Sequence, residues 1–218
     1  MEENDKKIDL KKIVYTYYEP LGMGRDYTEE DLIKVCEKSW EKNGWKLIVL
    51  NYEVAKSHDF YSSYSEVIKQ LPSVNLAFYD YHCYMRWLAM SKIGGGIMID
   101  YDVVNLSLTD DSIFQQKMIT GFQGHVPCVV SGTAEQYLEA CKIFCKLKDN
   151  DKCISNNQNK PHTSDMIMLY KGFKEDQFNK INYVVDYPQL APLVHCPQDA
   201  CFKNKKNKLQ AMSEIITT

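Results

Sequence analysis

Two aspartates one residue apart, Asp100 and Asp102, close the stretch GGGIMIDYD. In an extended chain residues i and i+2 point to the same side, so carboxylates at this spacing converge on one point. Like charges so placed repel unless a cation lies between them. Oxygen ligands suit a hard divalent ion, Mg²⁺ or Mn²⁺, which keeps positions open for water and substrate phosphates. A bare acid pair is common by chance and is then a solvated loop. Here it has a specific setting: a helix bearing Arg86, a glycine stop at Gly94-Gly95-Gly96, and the buried run Ile97 to Ile99 ahead of the acids.

The elements that must hold these groups follow from periodicity. Ile13 to Tyr18 alternates and is β-branched and aromatic, which predicts a first strand. After a loop with Pro20, Gly22 and Gly24, Thr28 and Asp31 form the start of a capped helix, with Leu32, Val35, Cys36 and Trp40 on one face and Asn43-Gly44 as its stop. Trp45 to Asn51 has the apolar density of a strand covered on both faces. Strand, helix, strand in this order predicts a βαβ unit with parallel pairing in an α/β fold. Helices are expected over residues 62–70 and 76–93, a strand over Val126 to Ser131, and a helix capped by Thr133 and running to Leu147. The polar, Asn-rich residues 148–160 read as a mobile loop, and Ser164 as the cap of a helix ending at Gly172. Tyr183 to Val185 is a last strand, followed by a basic stretch from Lys203 to Lys208 and a weakly ordered tail. Without an internal repeat or a clean linker, residues 1–218 read as one domain.

Composition narrows the class further. Apolar residues make up 44% and charged residues 25%, the mix of an ordinary globular chain. A net charge of −3 gives no general basic footprint for nucleic acid. No apolar run is long enough for a membrane span, and the start MEENDKKIDLKK lacks the apolar core of a secretory signal, so a cytoplasmic setting is expected. The eight cysteines (Cys36, Cys83, Cys128, Cys141, Cys145, Cys153, Cys196 and Cys201) show no C-x-x-C pair and are expected as free thiols.

The stretch from Tyr79 to Asn105 resembles the sugar-binding region of the GT-A-fold glycosyltransferases with a D-x-D motif, in particular the yeast-type mannosyltransferases and the large clostridial glucosylating toxins. A stand-alone domain of this size is also similar to those encoded by large algal viruses. The resemblance implies a GT-A-like fold with a mixed central sheet flanked by helices. It implies a nucleoside-diphosphate sugar donor, a uridine diphosphate sugar foremost, and a glycan or other hydroxyl acceptor. Arg86, Asp100, Tyr101 and Asp102 would then face the donor, with Mn²⁺ or Mg²⁺ on the acid pair. Thr16, Tyr17 and Tyr18 end the first strand where such a fold receives the base, so an aromatic face could stack there. Asp165, at a late loop–helix junction, would be the base of an inverting reaction or a donor-sugar ligand in a retaining one. His195 would complete the metal site, and a lysine of the basic stretch, Lys203 first and otherwise Lys205, Lys206 or Lys208, would meet the diphosphate. Loss of either motif aspartate is expected to spare the fold. Two departures stand out: Cys83 occupies the position three before the arginine where the family carries Asp, with Asp80 six before, and the glycine run is one residue longer.

Two other readings fit parts of the pattern. GIMIDYDVV imitates the nucleophile strand of haloacid-dehalogenase-type phosphatases, although two strands precede it and no second acid pair follows a later apolar strand. A non-catalytic module binding a sugar nucleotide or glycan would also carry such a motif, although binding alone does not require both acids.

Overall fold

The computed structural model of the chain describes residues 12–20, 28–75, 78–115, 117–124, 126–157, 159–173, 181–183, 192–196 and 207–217. β1 (Lys12–Tyr17), α1 (Glu29–Glu41) and β2 (Trp45–Leu50) form the expected βαβ unit, with β1 and β2 parallel. α1 opens on a reciprocal capping box: the Thr28 hydroxyl accepts from the Asp31 backbone N–H, and the Asp31 carboxylate accepts from that of Thr28. Two short helices, α2 (Tyr52–Lys56) and α3 (Tyr61–Ile68), lead to α4 (Tyr79–Lys92), which carries Arg86. β3 (Gly95–Ile99) and β4 (Val103–Asn105) flank the acid pair. They are followed by β5 (Ile119–Gly121), β6 (Val129–Thr133) and α5 (Ala134–Lys146), which Thr133 caps reciprocally with Gln136. Then come β7 (Ser155–Asn157), β8 (Lys160–His162), α6 (Asp165–Phe173), β9 (Ile181–Tyr183), β10 (Leu193–His195) and α7 (Lys208–Thr217).

The central sheet is mixed and six-stranded, in the order β2-β1-β3-β6-β5-β9. β1 is parallel to both β2 and β3, whereas β6 runs antiparallel to β3 and β5. Helices cover both faces. Met98, Ile119 and Val130 pack on one side against Tyr84, Trp87, Tyr137 and Phe144 of α4 and α5. Val14, Ile99 and Val129 pack on the other against Leu32, Cys36 and Trp40 of α1 and Met212 of α7. Two indole N–H groups pin the segment behind the acid pair: Trp40 donates to the Val103 carbonyl at 3.0 Å and Trp45 to that of Leu108 at 2.7 Å.

Several expectations need correcting. β2 is an edge strand and is not covered on both faces; Lys46 and Val49 are exposed. Residues 148–160 are not a plain loop, because a 3₁₀ turn at Asp151–Cys153 leads into an antiparallel hairpin of β7 and β8. Asn159 takes a positive φ of 63° in its turn, a conformation asparagine tolerates well. The tail after the basic stretch is helical: Leu209, Met212, Ile215 and Ile216 form a stripe that packs in the α1 cluster. The strand expected from Val126 begins at Val129. Of the last expected strand only Tyr183 is described, within β9; Val184 and Val185 lie outside the described residues. Seven cysteines are free thiols, and Cys201 lies outside the described residues. Among the described residues no helix is long and apolar enough to cross a membrane.

Candidate functional site

Strand order reverses around β1, since β2 lies on one side of it and β3 on the other. In open α/β sheets a crevice forms outside the carboxyl ends of the strands at such a point. A cleft of about 380 Å³ opens there, walled by Tyr17 and Tyr18 from the end of β1, Asp100 to Asp102 from the end of β3, and Arg86 from α4.

The glycines set the course of β3. Gly94, Gly95 and Gly96 all have positive φ, at 102°, 86° and 120°, a region side chains rarely enter. At Gly95 a Cβ would stand 2.5 Å from the Gly132 carbonyl oxygen and 2.7 Å from the Ala134 nitrogen, so β3 passes directly against the β6–α5 junction. Beyond β3 the backbone N–H of Asp100 donates to the Cys128 carbonyl at 2.8 Å, and that of Val103 donates to the Asp100 carbonyl at 3.0 Å. This turn presents both acids to the cleft.

Pairing of β4 with β10 brings in the third group. His195 lies opposite Val103 in that antiparallel pair, and the Cys196 N–H donates to the Asp102 carbonyl at 2.9 Å. Ligand atoms of Asp100, Asp102 and His195 all lie within 4.8 Å of one another. Nε2 of His195 is 3.5 Å from Oδ1 of Asp102, and that oxygen is buried with no hydrogen-bond partner among the described residues. Two carboxylates, one of them with that buried oxygen, and an imidazole are a donor set that fits a divalent cation. Nδ1 of His195 is 2.8 Å from Oε1 of Gln123.

Cations already in the site compensate the acids. Arg86 Nη1 donates to Asp100 Oδ1 at 2.6 Å, and Nη2 donates to Asp165 Oδ2, also at 2.6 Å. Arg86 Nε also donates to Asp165 Oδ2 at 3.2 Å and the Trp87 indole at 3.0 Å, while the Met166 N–H donates to its Oδ1 at 2.8 Å. Although burial opposes charge on Arg86, Asp165 and Asp100 hold its pKa well above the usual range. Burial pushes the Asp100 carboxyl upward against the pull of Arg86, and the Asp102 charge adds to the rise. Lys208, the first residue of α7, binds Asp102 Oδ2 with its ammonium 5.7 Å from the Tyr101 ring centroid.

The structure therefore brings together Arg86, Asp100, Tyr101, Asp102, Asp165 and His195, with Tyr17 and Tyr18 on the same cleft. Tyr18 and Tyr101 meet edge to face at 6.1 Å, and the Tyr17 hydroxyl is 3.0 Å from Nδ1 of His82. Thr16 is not on the cleft wall; it is 1% exposed, between Val49 of β2 and Ile99 of β3. Alternation along β1 sends its side chain to the face opposite its neighbours. Lys203 lies outside the described residues, as do Lys205 and Lys206; Lys208, which is described, reaches Asp102. Cys83 lines the cleft where the family's Asp was expected, and burial and the Asp165 charge keep its thiol protonated. Gln123 and Trp87 were missed; neither carries a local signal, and only the fold brings them to the site.

A family model described as a domain of unknown function, DUF8765, matches residues 7–129, more than half of the chain. The chain belongs to that family. The matched region of DUF8765 contains Arg86, Asp100, Asp102 and Gln123 but ends before Asp165, His195 and Lys208. No curated protein matches the sequence. Among solved structures the chain is similar to a glycosyltransferase involved in the glycosylation of the major capsid of PBCV-1, at 11% identity and a TM-score of 0.49. The likeness covers 95% of this chain and 100% of that one.

Proposed function

We propose that the chain is a glycosyltransferase of GT-A-like arrangement, with residues 1–218 acting as one domain. It would move a sugar from a nucleoside-diphosphate donor, a uridine diphosphate sugar foremost, to a glycan or other hydroxyl acceptor. Mn²⁺ or Mg²⁺ would be held by Asp100, Asp102 and His195. One observation carries the reading: these three residues converge within 4.8 Å at the carboxyl end of β3, beside the strand-order reversal, with Asp102 Oδ1 buried and unpartnered.

When bound, the ion neutralises charge that develops on the leaving diphosphate. The chain's own groups do the rest. Arg86 fixes Asp100 and balances Asp165 through separate nitrogens of one guanidinium. Lys208 is placed to exchange its contact with Asp102 for a phosphate oxygen, the part assigned earlier to Lys203. Tyr17, Tyr18 and Tyr101 offer aromatic surface to the base. Both oxygens of Asp165 already accept hydrogen bonds, and Arg86 and Trp87 hold its Oδ2 in place. Of its two implied roles, contact with the donor sugar suits it better than that of general base.

A release assay tests the reading. Incubation with uridine diphosphate sugars should free uridine diphosphate in Mn²⁺ and not in EDTA. Release of phosphate from simple phosphate esters instead would favour the phosphatase.

A further inference from the structure

We propose that Gln123 sets the tautomer of His195 and thereby turns its Nε2 toward the acid pair as the third ligand of the divalent ion. This rests on the metal site proposed above and goes beyond it by naming the residue that prepares the histidine. Gln123 lies between β5 and β6 in a tight turn, where the Val126 N–H donates to its carbonyl at 2.9 Å and Gly124 has a φ of 49°. Its side-chain oxygen meets two groups at once, Nδ1 of His195 at 2.8 Å and the thiol of Cys128. An amide oxygen has two lone pairs and no proton, so it can receive both an N–H and an S–H. The opposite orientation would aim an NH₂ at a sulfur, which is a weak acceptor. With the oxygen facing them, Nδ1 carries the imidazole proton and Nε2 keeps its lone pair, an assignment made from the partners.

The other end of the ring agrees independently. If Nε2 bore the proton, Asp102 Oδ1 at 3.5 Å would be an acceptor for it. That oxygen instead has no hydrogen-bond partner among the described residues. Two lone pairs facing one another across that gap, with Asp100 alongside, form a place for a cation. A hydrogen bond on the distal nitrogen is the usual way a ligating histidine is oriented and made more basic. Gln123 is thus a positioning residue.

The test uses the full chain and two readouts. In the metal-free protein, long-range ¹H–¹⁵N NMR of the imidazole should report the Nδ1–H tautomer for His195. Gln123→Leu should lose that preference and weaken Mn²⁺ binding, followed by the electron paramagnetic resonance of free Mn²⁺, about 10- to 100-fold. Gln123→Glu, which keeps an acceptor, should retain wild-type Mn²⁺ affinity; the same loss as in the Leu variant would overturn the proposal. An Nε2–H tautomer in the wild type would overturn it too. So would a wild type that binds Mn²⁺ no better than Gln123→Leu does. A wild type that takes up no Mn²⁺ would reject the metal site itself, and is told apart because the affinity has then failed before any substitution is made.

Discussion

Removing the Asp102 carboxylate would leave the Lys208 ammonium, whose side chain is 8% exposed, without its anion. Breaking one side of a buried ion pair costs about 3 to 5 kcal/mol, so Asp102→Ala should lower the denaturant midpoint markedly. Asp100→Ala should cost less, because its side chain is 30% exposed. Equal, small losses in both variants would contradict the pairing and return to the expectation that either aspartate can go without harm to the fold. Asp100 also dictates a pH dependence. Its folded pKa lies above the ordinary 3.8, so the folded chain holds a proton that the unfolded chain has released. Metal-free stability attributable to this group should therefore fall as pH rises from 3.8 through the raised value, while divalent-ion affinity should rise over the same window. Urea midpoints across that window, compared with Asp100→Asn, measure it; identical slopes in the two proteins would remove Asp100 as the source.

Among the elements, β3 and its glycines make the sharpest prediction. Gly94 and Gly95 share a positive φ, yet a Cβ on Gly94 would have nothing within 4 Å, whereas one on Gly95 would overlap backbone of the β6–α5 junction. Gly94→Ala should cost about 1 to 2 kcal/mol of backbone strain, and Gly95→Ala clearly more, read as thermal unfolding of the two variants. The same stretch shows what a sequence can reveal. An arginine helix, a glycine stop, an apolar run and two acids are contiguous, and the Thr28–Asp31 box and the Thr133 cap are local, so they were legible, whereas the part of Gln136 in the second cap was not read. β4 and β10 were not, because each is three residues long and is held by pairing with the other across a long stretch of chain. The β7–β8 hairpin is polar throughout and carries no alternation signal. α7 did show an apolar stripe, but the lysines before it drew the reading toward a solvated tail.

At the scale of the whole molecule, the candidate site draws on segments far apart in the chain, among them the end of β1, α4, the end of β3, the start of α6, β10 and the start of α7. The acid pair was readable because both members lie in one segment. The Arg86 bridge to Asp165 and the contacts of Lys208 with Asp102 and of Gln123 with His195 all depend on how the fold brings distant segments together. α7 links the tail to the candidate site, since Met212 anchors the helix in the α1 cluster while Lys208 reaches Asp102. Lys208→Met keeps the apolar stem and removes the charge, so it should preserve cooperative unfolding and weaken nucleoside-diphosphate binding by about 1.5 to 3 kcal/mol, the range for a charged hydrogen bond. The central claim is met most directly by calorimetric titration of uridine diphosphate into the wild-type chain, in Mn²⁺ and again in EDTA, with Asp102→Asn alongside. Binding in Mn²⁺ that disappears both in EDTA and in Asp102→Asn is the predicted result. Equal affinity with and without the metal, or an undiminished Asp102→Asn, would contradict it.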